Sequence, residues 1–179
     1  GFDALYQRNP DIAGWVKIPD TKLDYAVVQA EDNDKYHRAD IDGKYNDWGI
    51  PYVDFRVDQK KPSYNTVIYG HNMGDGTMFG YLQGYKKLSY YQQHPLISYN
   101  SVYRKDMYKI FAVVVCKADD PDFDYHNFID SDSDAAKNEY IEKIMKRSII
   151  KTTVDVKASD RLLTLSTCTR YYGNTDNQR

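Results

Sequence analysis

Arg161-Leu162-Leu163-Thr164-Leu165-Ser166-Thr167-Cys168 is an apolar run that delivers a cysteine into a polar loop, Thr169-Arg170-Tyr171. So short a run, bounded by polar residues, reads as a β-strand. A second run of the same kind, Asn65-Thr66-Val67-Ile68-Tyr69, leaves through Gly70 to His71 and a glycine-rich turn, Asn72-Met73-Gly74-Asp75-Gly76. Further strands are expected over Trp15–Ile18, Leu23–Gln29, Ile50–Phe55 and Val154–Val156, and as a hairpin of Leu96–Tyr103 with Met107–Val115. Helix is expected in the first dozen residues before Asn9-Pro10, over Met78–Leu82, and as one turn within Asp32–Ala39. The strongest helical signal follows the acidic loop Asp119–Asp134. There Ala136, Tyr140, Ile141, Ile144 and Met145 recur at helical spacing, Lys143, Lys146 and Arg147 complement the dipole, and Ser131 with Asp134 resembles a capping box. Many short strands with a minority of helix predict a mainly β (α+β) fold, a barrel or sandwich with helices outside it.

No repeat, low-complexity tract or linker divides the 179 residues, so residues 1–179 are expected to form a single domain. With 24 basic against 26 acidic residues the net charge is −2, which argues against nucleic acid as the main partner. The longest purely apolar run, Phe111–Cys116, is far short of the ~18 residues of a membrane span. The chain starts at Gly1 without a methionine or secretory signal, and a targeting segment is expected to precede it. Tyrosine is unusually abundant, with 18 residues. Tyrosines suit both the edge of a β-rich core and a peptide-contacting surface.

Asp130-Ser131-Asp132-Ser133-Asp134 resembles the start of a calcium loop, but Ala135 and Ile141 stand where glycine and glutamate are needed. The segment reads as a solvated loop running into a helix N-terminus. His37, His94 and His126 stand alone in polar or proline-flanked settings, and no zinc spacing exists, so no metal and no cofactor is assigned. Two cysteines do not make a disulfide scaffold. Cys116 closes an apolar run and reads as a small core residue, whereas Cys168 sits at a strand end. A thiol nucleophile needs an acid–base partner and oxyanion donors. His71, at the other strand end, is the best partner, although the two are distant in sequence and only the fold can join them.

Thr164-Leu165-Ser166-Thr167-Cys168 resembles the TLxTC signature of sortases, the cysteine transpeptidases of Gram-positive cell surfaces. Asn65–Met73 is similar to the segment that carries their histidine, and Gly14-Trp15-Val16 and Thr77-Met78-Phe79 fit as flanking text. The N-terminal helix and the long helix before the last strands resemble class B. The resemblance implies a closed, mostly antiparallel sortase-like β-barrel, with a membrane anchor before this sequence and a last strand after it. It implies Cys168 as nucleophile, His71 as acid and base, and Arg179 as the oxyanion-holding cation, in preference to Arg170. Ser166 shares the face of Cys168 by alternation and would line the peptide groove; Asn33 aligns with groove residues. The implied partners are the sorting-signal peptide of a secreted protein, of the NPxTx type, and a peptidoglycan amine. The implied location is the outer face of the membrane, and the implied state a monomer. Two other readings stay open at this point: a tyrosine-rich β-domain that binds a surface protein, and a cysteine hydrolase of another family.

Overall fold

The computed structural model describes residues 2–168. Seven strands form one mixed sheet, curled into a nearly closed barrel: β1 (Ile12–Lys17), β2 (Asp24–Val28), β3 (Tyr52–Val53), β4 (Asn65–Tyr69), β5 (Leu96–Ser101), β6 (Lys105–Lys109) and β7 (Leu162–Ser166). Their order across the sheet is β6-β5-β1-β2-β3-β4-β7. The pairs β1–β2, β1–β5, β3–β4 and β5–β6 run antiparallel, as expected for most of the barrel. The pairs β2–β3 and β4–β7 run parallel, and the second of these carries the site.

Burial follows from position in the sheet. All five residues of β4 are buried, which explains a continuous apolar run in place of alternation. On β5 the inward residues Ile97, Tyr99 and Ser101 alternate with half-buried ones. Val16, Ile18, Leu23, Val27, Val28, Val53, Val67 and Ile68 form the barrel core. Many of the tyrosines belong to the interior: Tyr36, Tyr52, Tyr64, Tyr69, Tyr85, Tyr99, Tyr125 and Tyr140 are all buried.

Helix α1 (Phe2–Arg8) precedes β1, with Phe2 and Leu5 packed on the core. A 3₁₀ helix over Phe79–Lys86 leads into α2 (Leu88–Gln93), and α3 (Asp134–Arg147) covers a second apolar cluster of Tyr64, Cys116, Phe123, Tyr125, Tyr140 and Leu162. Three expectations need correction. The cap of α3 is Ser133, whose Oγ accepts the Ala136 N–H, while Ser131 Oγ accepts from Ser133 N one step earlier. Met145 lies on the exposed flank of α3; Tyr140 and Ile141 form its buried stripe. Asp32–Ala39 is a turn region in which Asp32 Oδ1 accepts the N–H groups of Asp34 and Lys35, a local bond that competes with helix.

β3, expected over Ile50–Phe55, and β6, expected to reach Val115, are shorter than their sequence suggests. β6 stops at Lys109, because its partner β5 begins at Leu96 and Pro95 O takes the last N–H, from Ile110. Val154–Val156 forms no ladder among the described residues. Among those residues the edge strands β6 and β7 do not pair, and a cleft of about 770 Å³ lies between residues 106–116 and 161–167.

Candidate active site

The site is built by the parallel pairing of β4 with β7. Asn65 faces Leu162 and Tyr69 faces Ser166, so one register runs the length of both strands. The offset between partners is 97 residues, and two hydrogen bonds extend it past the strand ends: Gly70 N–H to Ser166 O at 3.1 Å and Thr167 Oγ1–H to Gly70 O at 2.7 Å. The same offset separates His71 from Cys168. Two strands in one register thus set the imidazole and the thiol down side by side. Both residues border a small cavity of about 20 Å³, together with His37, Tyr52, Tyr69, Gly70 and Ser166.

Gly70 is required here by space. A methyl group on it would lie 2.6 Å from the ring of Phe79, which is fully buried. The close approach lets the chain turn directly out of β4 at His71.

His71 is held by backbone. Its Nε2 lies 2.6 Å from the carbonyl oxygen of His37, and a carbonyl only accepts, so Nε2 carries the proton. Nδ1 is left as the nitrogen that can exchange a proton with a thiol. The His37 ring packs against His71 at 4.5 Å between centroids. His37 is therefore part of the site, where the sequence suggested an isolated polar histidine. Gly49, at φ +57°, makes this possible: a side chain there would come within 2.6 Å of that same His37 carbonyl.

Cys168 is a half-buried free thiol at the mouth of the cavity, and its carbonyl accepts a 3.4 Å bond from Gln83 Nε2. Cys116 is in no disulfide either but belongs to the second apolar cluster, where burial, reinforced by Asp120 and opposed by Arg147, pushes its thiol pKa up. Arg170 and Arg179 lie outside the described residues. Ser166 borders the cavity, but its Oγ is engaged at 2.6 Å by Tyr125 Oη. Tyr125 is in turn held by α3, since Tyr140 donates to its carbonyl at 3.1 Å. Asn33 reaches the buried carboxylate of Asp54 through Nδ2, and its Oδ1 accepts from Phe55 N.

Asp54 escaped sequence reasoning. Its side chain is 0% exposed and ion-paired with Arg56 at 2.8 Å. Burial alone would raise its pKa, but the bonds from Arg56, Asn33 and Tyr69 outweigh it and hold the value at about 2. The folded value is below the unfolded one, so this group stabilises the fold above pH ~4 and stops doing so as pH falls toward 2. The expected contribution is roughly 2 kcal/mol. Urea titrations at pH 5 and pH 2 check it: wild type is expected to lose about that much more stability than Asp54→Asn. Equal losses would show that Asp54 does not carry the effect.

Comparison with known proteins agrees with this geometry. Residues 16–179 match the family model of the sortase domain. The chain is 34% identical over 176 residues to sortase B of Staphylococcus aureus (strain NCTC 8325 / PS 47), covering 97% of this chain and 70% of that protein. It is 34% identical over 164 residues to sortase B of Listeria monocytogenes serovar 1/2a (strain ATCC BAA-679 / EGD-e), covering 92% of this chain and 65% of that one. The fold superposes on the Staphylococcus aureus sortase B–substrate complex with a TM-score of 0.89 at 32% identity, over 99% of this chain and 80% of that one. A thiol and an imidazole just past the end of one parallel ladder, within a barrel shared along almost the whole chain, place this protein in the sortase family, among the cysteine transpeptidases of class B.

Proposed function

We propose that this enzyme cleaves an NPxTx-like sorting motif of secreted proteins after its threonine and transfers them to a peptidoglycan amine. The observation that carries the reading is the shared 97-residue offset, which brings His71 and Cys168 to one cavity. The similarity to a substrate-bound sortase B supports a peptide substrate. The Cys168 thiolate attacks the threonine carbonyl carbon. The C–N bond breaks, the leaving amine takes a proton from His71, and a thioester remains. A second amine attacks the thioester and gives its proton to His71 as the thiolate leaves. A thioester suits this sequence because it is reactive toward amines yet persists long enough to be intercepted. The protein would work at the outer face of the membrane, as a monomer.

Mass spectrometry of the protein mixed with an NPxTx peptide tests this. The expected adduct carries the peptide up to threonine, sits on Cys168, and is discharged by an added amine. An adduct on Cys116, or hydrolysis indifferent to amine, would overturn the reading.

Arg179 is the proposed cation for the oxyanion. In the sequence ten residues separate Arg179 from Cys168 and one separates Arg170 from it, and the resemblance to sortases favours the more distant arginine. Arg179→Ala is expected to lower kcat/KM by roughly 10²–10³, the range for one oxyanion donor. Arg179→Lys should restore little, since an ammonium does not reproduce a planar fork of donors. Kinetics with Arg170→Ala inactive and Arg179→Ala active would reverse the assignment.

A further inference from the structure

Three chain segments hold the reacting pair, and one ion pair, its carboxylate buried, touches all three. His37, on the β2–β3 connection, supplies the carbonyl that anchors His71 Nε2. Tyr69, at the end of β4, lies two residues before His71 and lines the cavity. The 3₁₀ turn Tyr125–Asn127 supplies the phenol that holds Ser166, two residues before Cys168.

Asp54 Oδ2 accepts from Asn33 Nδ2 at 3.1 Å, four residues before His37, and from Tyr69 Oη at 3.0 Å. Arg56 grips both carboxylate oxygens, Nε on Oδ1 and Nη2 on Oδ2, each at 2.8 Å. Its outer face reaches the third segment: Nη1 donates to Asn127 Oδ1 at 2.5 Å and Nη2 to the carbonyl of His126 at 2.8 Å. Among the described residues neither Asp54 nor Arg56 lines the cavity that Cys168 and His71 border, yet each supporting segment is one hydrogen bond away from the pair.

We infer that the Asp54–Arg56 pair is a positioning hub that sets the geometry between His71 and Cys168. Asp54 is fully covered while the Arg56 side chain is 34% exposed, and the stability drawn from the carboxylate's bonds needs no contact with a third segment. What the guanidinium adds is direction. A planar guanidinium has donors in fixed orientations and can hold a carboxylate on one side and a loop on the other. A reacting pair displaced by about 1 Å loses on the order of 100-fold in rate. The hub therefore acts on the chemical step more than on peptide affinity.

This inference rests on the reading of Cys168 and His71 as the reacting pair, and that reading is checked separately by Cys168→Ala. The test compares Asp54→Asn and Arg56→Lys with wild type in steady-state cleavage of an NPxTx peptide, at a temperature where thermal denaturation shows each variant folded. Arg56→Lys keeps the charge and removes the fork, so it decides the matter even if Asp54→Asn does not fold. The expected result is a kcat lowered roughly 10- to 100-fold with KM within about threefold of wild type. Folded variants that keep kcat within about twofold would overturn the hub, as would variants that raise KM and leave kcat intact. Loss of activity in Cys168→Ala with no effect at the hub would refute this inference and leave the proposed function standing. Activity retained in Cys168→Ala would refute the proposed function itself.

Discussion

Cys168→Ala is expected to lose peptide cleavage by on the order of 10⁵–10⁶, the scale for removing a covalent nucleophile, while remaining folded. The side chain is half-buried at a strand end, so deleting one sulfur leaves little cavity. Cys116→Ala is expected to keep kcat within about threefold of wild type and to lose about 1–2 kcal/mol of stability, because its thiol packs among Phe123, Tyr125 and Leu162. The two cysteines thus separate chemistry from packing. A neutral, buried thiol is a poor nucleophile, and burial pushes the Cys116 thiol toward that state. The measurement is cleavage of a fluorogenic NPxTx peptide together with a urea midpoint for each variant. A folded Cys116→Ala that is inactive beside an active Cys168→Ala would invert the assignment.

The two strands that end in chemistry were legible because their signal is local. Val67-Ile68-Tyr69 before Gly70-His71, and Leu163-Thr164-Leu165 before Cys168, are apolar runs cut off by residues that leave a sheet. Their parallel pairing was not legible. It is a long-range event, and no local propensity distinguishes a parallel from an antiparallel partner. The supporting residues escaped for the same reason. Tyr125 reaches Ser166 across 41 residues, and Arg56 reaches Asn127 across 71. Each looks like an ordinary loop residue until the barrel closes. Some misreadings were local. Ser131 and Ser133 both precede α3, and only the backbone turn decides which hydroxyl meets the free N–H at Ala136. Val154–Val156 has the composition of a strand, but a strand also needs an edge to pair with, and composition says nothing about edges.

His71→Gln and His71→Asn together are expected to show what the imidazole does. Glutamine keeps an N–H near the position of Nε2 and so keeps a donor for the His37 carbonyl, which His71 meets at 2.6 Å. Asparagine is shorter and loses that tie. Neither amide can carry a proton from the thiol to a leaving amine. If His71 acts as acid and base, both variants fall by about 10⁴ in kcat/KM, the upper range for general acid–base catalysis. Both should remain folded, since His71 is only partly buried and the Gly70–Ser166 and Thr167–Gly70 bonds that hold the strand ends do not involve its ring. If His71 instead only braces the loop that carries His37, glutamine should retain most of the activity and asparagine little. Cleavage of the peptide by His71→Gln within about tenfold of wild type would therefore assign the proton transfer to another group. Equal and deep losses in both variants would place it on Nδ1, the one ring nitrogen that the His37 carbonyl leaves available.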